Sequence, residues 1–163
     1  MSQPLNPLTL PLSGSWLIEA SAGTGKTYTL AALYVRLALG HGPDDGARLP
    51  ALSPSQILVM TFTEAAAGEL RDRIRQRLTG LADWLRRDAP AAEADAFSLG
   101  LLASLDAADG LGREQAARRL ALAADLLDDA AISTIHSWCL RMLREHALYS
   151  GNLFDESLDS DDG

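Results

Sequence analysis

Cysteine is almost absent from this chain. Cys139 is the only one, so no internal disulfide can form, no Cys/His metal site can be drawn, and a reducing cytoplasm is the expected compartment. Lysine is equally scarce, Lys26 being the only one among 14 basic residues. Long apolar runs are missing too: none approaches the roughly 20 residues needed to span a bilayer, and no membrane partner is expected. The opening stretch "MSQPLNPLTLPLSG" has no basic residue and is interrupted by proline, so it does not read as a signal peptide. Positive charge as a whole is short, with a formal net charge of −8. That average argues against a nucleic-acid partner, but it conceals a local basic element. Residues 71–77, "RDRIRQR", carry four arginines and one acid, whereas residues 152–163, "NLFDESLDSDDG", carry acids and no base.

What the sequence does contain is the material of one α/β domain. Its 163 residues are 47% hydrophobic and 22% charged, enough for a single core and too few for two ordinary domains. After a proline-rich lead to about Gly14, "WLIEA" reads as a short strand, and a helix is expected from about Lys26 to Leu39. A loop rich in glycine, proline and aspartate follows. "QILVMTF" is fully apolar and β-rich, which predicts a buried parallel strand. A helix is expected from near Glu64 to about Arg87, more helix over 91–129 with a break near "DGLG", a third strand at "AAIST", and a last helix over "HSWCLRMLREHAL". Along that helix Ile135, Cys139, Met142 and Leu143 form one apolar stripe, so Cys139 is expected in the core and not as a nucleophile. Strands alternating with helices imply right-handed crossovers and a parallel sheet flanked by helices.

Residues 20–27, "ASAGTGKT", carry the chemistry. They fit a phosphate-binding loop, with Ala20 where a glycine is usual. Such a loop curls so that successive backbone N–H groups of Ala20, Ser21, Ala22, Gly23, Thr24 and Gly25 face one point. Gly23 and Gly25 allow the close approach that a β-carbon would hinder. The following helix aims its positive end at the same point. Lys26 then reaches the terminal phosphates, and the Thr27 hydroxyl can ligate Mg²⁺, which makes ATP with Mg²⁺ the expected cofactor and these two residues the catalytic candidates. The bland reading is a glycine turn that precedes a lysine. The loop alone names no reaction.

Two more stretches point to a family. "TFTEAAAGELRDRI", residues 61–74, follows the second expected strand, and "ISTIHSWCLRML", residues 132–143, spans the third. With "LIEASAGTGKT", they resemble successive motifs of the UvrD-type superfamily-one DNA helicases, and within them the beta subunits of exodeoxyribonuclease V, over nearly the whole chain. The resemblance implies a partial RecA-like P-loop NTPase domain over residues 1–150, with 151–163 an acidic tail. It implies an N-terminal part of an ATP-dependent helicase and exonuclease subunit of DNA repair and recombination, acting on single- and double-stranded DNA beside the gamma and alpha subunits of that enzyme. It also makes Thr61, Phe62, Thr63, Thr134 and His136 the candidates for contact with the DNA backbone. Two of them have a plainer reading: Thr63 as a helix N-cap with Glu64 in the first turn, and His136 as a helix-start residue. Glu69 and Arg73 are spaced to pair, and Arg71 and Arg75 read as a solvated helix face.

The family also uses an acidic motif after an apolar strand and an arginine from a second motor domain. Asp128–Asp129 lies ahead of "STIH", the wrong order for that motif, and "LNPLTLPLSG" offers no adenine-reading glutamine. A free-standing nucleotide-binding module that never hydrolyses therefore remains the alternative, with a small-molecule kinase a weaker one.

Overall fold

Helix α1 runs over Lys26–Leu39, the span expected. Gly25 opens it at φ 84° and Gly40 closes it at φ 68°, left-handed conformations that a β-carbon disfavours. Strand β1 covers Leu58–Thr61 and helix α2 Glu64–Arg86. The alanine- and leucine-rich stretch forms α3, Ala96–Leu105, and α4, Arg113–Asp125, with a break before Arg113. Strand β2, Ala131–Thr134, leads straight into α5, Ile135–Ser150. The two strands pair in parallel, with Leu58 beside Ala131 and Thr61 beside Thr134. The result is an α/β arrangement in which helices flank a two-stranded parallel sheet. This computed structural model describes residues 5–19, 25–42, 49–87, 90–106 and 110–150, the last four as backbone only; the acidic stretch 151–163 lies outside them.

The core forms around α2. Leu70, Ile74, Leu78, Leu81 and Leu85 recur every three or four residues and so share one face. They cluster with Ala116, Ala117, Leu120 and Ala123 of α4 and with Tyr34, Val35 and Ala38 of α1. Burying each large aliphatic side chain contributes about 1.5–3 kcal/mol, so this stripe dominates the packing. Arg36 of α1 is fully buried and compensated: its guanidinium donates to the carbonyls of Pro7 at 2.7 Å, Leu10 at 2.6 Å and Gly42 at 3.1 Å. Those bonds pin the proline-rich lead to the end of α1.

Four expectations are corrected. "WLIEA" forms no strand over its described residues; Trp16 and Leu17 are 58% and 87% exposed. A strand needs a hydrogen-bonded neighbour, and among the described residues the sheet consists of β1 and β2 alone. β1 is not buried on both faces, because Leu58 and Met60 are 44% and 40% exposed. α2 covers one face, while α5 leaves an open groove of about 290 Å³ beside Leu58, Ala131, Trp138 and Met142 on the other. The α5 stripe, Met142 apart, does not pack inward either. Ile135, Cys139 and Leu143 are exposed, since the side that meets the strands is the one bearing Trp138 and Met142.

The last correction concerns the arginines. Arg71 donates to the Ile132 carbonyl at 2.7 Å, and Arg75 donates to the Ala124 carbonyl at 3.0 Å and to Asp128 at 2.6 Å. They tie α2 to β2 and to the end of α4, where carbonyls lack intrahelical donors. They are braces, not a solvated face. Glu69 and Arg73 do pair, at 4.0 Å on the exposed side.

Candidate functional site

Ala20, Ser21, Ala22, Gly23 and Thr24 lie outside the described residues; Gly25, Lys26 and Thr27 are within them. Gly25 is the N-cap of α1 and makes no side-chain cap, so among the described residues no N-cap side chain satisfies the first N–H groups of the helix. Lys26 and Thr27, the first two helical residues, are exposed. An uncapped helix start with an ammonium and a hydroxyl beside it suits an anion and a hard cation. Among the described residues no group of three His, Cys, Asp or Glu side chains could hold a metal.

Beside Thr27 lies a groove of about 440 Å³, within the range of small-molecule sites, lined by Tyr28, Ala31, Glu69, Arg73, Gln76 and Arg77. Its wall is rigid. The Tyr28 hydroxyl donates to Asp95 at 2.9 Å, Arg77 pairs with the same carboxylate at 2.8 Å, and the guanidinium stacks 5.3 Å from the Tyr28 ring. Burial alone would raise the Asp95 carboxyl, but Arg77, the Ser98 hydroxyl and N–H, and Tyr28 outweigh it and hold the group well below the usual carboxylate range. Desolvation and the Asp95 charge raise the Tyr28 hydroxyl.

The second group of candidates gathers where both parallel strands end. Thr61 and Thr134 are register partners. The Thr61 hydroxyl donates to the Thr63 carbonyl at 3.0 Å and shapes the turn that carries Phe62, which is 93% exposed. Thr63 is the N-cap of α2, its hydroxyl accepting the Ala66 N–H at 3.1 Å, and Thr134 does the same for the Ser137 N–H at 3.2 Å at the start of α5. Two helix starts with threonine caps therefore lie side by side. Phe62, Thr63 and His136 are exposed, whereas Thr134 is buried. Its hydroxyl donates to Glu64 at 2.8 Å, and the Ser137 hydroxyl donates to the same oxygen at 2.7 Å. Those hydroxyls, Ser137 first, and the Arg71 charge hold the Glu64 carboxyl below its usual value. Ser137, Glu64 as an acceptor, and the Tyr28–Asp95–Arg77 group were not singled out by sequence reasoning. Only the three-residue step from Thr134 to Ser137 hinted at any of them.

Residues 2–162 match the UvrD/REP helicase N-terminal domain. The chain belongs to that family. Among its relatives in the family are the RecBCD enzyme subunit RecB of Escherichia coli, 46% identical over 165 residues and 99% of this chain, and its namesake in Haemophilus influenzae, 46% identical over 159 residues and 97%. The RecB of Mycobacterium tuberculosis is 33% identical over 150 residues, or 91% of this chain. This UvrD/REP-family chain spans 13% of the length of the first two relatives and 12% of the third. No helix among its described residues is long and apolar enough to cross a membrane.

Proposed function

We propose that residues 1–150 form the first part of a RecA-like, P-loop motor domain, with 151–163 an acidic tail, and that the chain is the ATP-binding N-terminal portion of a DNA helicase and exonuclease subunit of the RecB type. In this reading it works in DNA repair and recombination within a RecBCD-like complex in the cytoplasm. The observation that carries it is the start of α1: a left-handed Gly25, no side-chain cap, and the chain's only lysine in the first helical position. The N–H groups of that turn and the Lys26 ammonium would stabilise the charge of the β- and γ-phosphates, and the Thr27 hydroxyl would be a ligand of Mg²⁺, which supplies charge neutralisation at the transferring phosphate. Ala20, Ser21, Ala22, Gly23 and Thr24 would complete the cradle with backbone donors.

At the sheet edge, Thr61, Phe62, Thr63, Thr134 and His136 form the path of single-stranded DNA in this reading. Thr63 and His136 offer polar groups to the backbone, and the exposed Phe62 ring offers a stacking surface that accepts any base, as a motor requires. Thr134 would serve by shaping the turn, since its proton is already given to Glu64.

Lys26 makes the nucleotide half of this reading directly testable. In the full-length gene product, amine-reactive labelling read by peptide mass spectrometry is expected to modify Lys26, with protection by ATP–Mg²⁺ and ADP–Mg²⁺ and none by AMP, which lacks the distal phosphates. Equal labelling with and without ATP overturns the assignment.

A further inference from the structure

Glu64 differs from the other exposed carboxylates among the described residues in being held by two hydroxyls and not by an arginine. One of its oxygens, Oε1, accepts two hydroxyl protons from a different part of the chain, Thr134 at 2.8 Å and Ser137 at 2.7 Å. Each hydroxyl has a single proton, and both are spent here, so neither can donate to a phosphate. The 3.0 Å approach of the two hydroxyl oxygens follows from their sharing one acceptor, and Thr134 accepts the Ser137 N–H besides. Thr134 and Ser137 bracket His136, and Glu64 directly follows Thr63. The bonds therefore join the two segments that carry the exposed polar side chains of the sheet edge. Arg71, two turns further along α2, holds β2 again through the Ile132 carbonyl. A carboxylate has no donor to offer a phosphate and repels it, so contact with the nucleic-acid backbone is not its task.

We infer that Glu64 is a positioning residue: its carboxylate sets the spacing between Thr63 and His136 and so preforms the single-stranded nucleic-acid path. This rests on the reading of the sheet edge as that path. Preformation matters because a backbone contact displaced by about an ångström forfeits much of its strength.

The test uses the full-length gene product, a thymidine oligonucleotide as probe, and DNA-stimulated ATP hydrolysis as readout. Glu64→Ala is expected to raise the oligonucleotide concentration for half-maximal stimulation about tenfold, the scale of one charge-assisted hydrogen bond, with the DNA-independent rate and the KM for ATP unchanged. Glu64→Gln keeps an oxygen that accepts both hydroxyls and is expected to stay within about twofold of the parent. Parent-like behaviour of Glu64→Ala, or equal impairment of both variants, overturns the inference. The paired variant Thr63→Val/His136→Ala separates the two levels: if it too leaves the oligonucleotide dependence unchanged, the path itself is wrong, and if it alone is impaired, only the role of Glu64 is wrong. Should Glu64→Ala not fold, Ser137→Ala carries the test, with an expected rise of about threefold and no rise overturning it.

Discussion

Tyr34 is 2% exposed, and its hydroxyl has no hydrogen-bond partner among the described residues. Burial pushes its pKa up to about 12. An unsatisfied buried hydroxyl costs about 1–3 kcal/mol of stability, whereas the ring itself belongs to the hydrophobic core that includes the leucines of α2. Tyr34→Phe is therefore expected to raise stability by about 1 kcal/mol in chemical denaturation, and a loss of stability would show that the hydroxyl is satisfied after all. Thr63 is the opposite case at the same scale. Its oxygen satisfies the Ala66 N–H while its proton stays available, so one hydroxyl can cap a helix and still meet a ligand. The cap reading and the DNA reading of Thr63 do not compete.

Among the elements, α1, α2 and α3 meet at Asp95. It caps α3 through the Ser98 N–H at 2.8 Å, pairs with Arg77 of α2 and accepts from Tyr28 of α1. Asp95→Ala is expected to cost about 2 kcal/mol at neutral pH, the upper end of a lost N-cap. The pH dependence has a definite sign. The folded carboxyl sits below its ordinary value of 3.8, so its contribution is complete above that value and is lost as pH falls toward the folded value. The stability gap between the parent and Asp95→Ala should therefore narrow from pH 4 toward pH 2. A constant gap over that range would mean that the carboxylate charge is not what matters. The same variant frees the Tyr28 ring beside Thr27, so the groove loses its braced wall.

Across the molecule, charge is spent on the fold. With a formal net charge of −8 and with Arg71, Arg75 and Arg77 bonded internally, the sheet edge has little positive potential to offer a nucleic acid. In the proposed reading of that edge as a DNA path, affinity comes from hydrogen bonding and stacking. Thr63→Val/His136→Ala in the full-length gene product is accordingly expected to weaken single-stranded DNA binding by a similar factor at every salt concentration above pH 7.5. The slope of log affinity against log salt should change by less than about 0.5, below what one released counterion contributes. A slope change near one unit would mean that a charged contact had been removed.

Local periodicity and spacing along the chain were enough for the helices, for the strand character of "LVMT" and "AIST", and for the order of motifs that defines the family. Lys26 at the start of α1 was legible for the same reason: a glycine-rich turn and a helix start are local events. Packing was needed to show that β1 pairs with β2, which side of α5 meets the sheet, that "RDRIRQR" braces β2 and α4, and that Glu64 reaches Thr134 and Ser137. Residues 64 and 137 are 73 positions apart, and the arginines reach as far as 61 positions, so no pattern in a window of sequence could join them. Burial was the least legible property. It depends on which elements cover a surface, and the apolar runs of β1 and α5 read the same whether or not a neighbour lies over them.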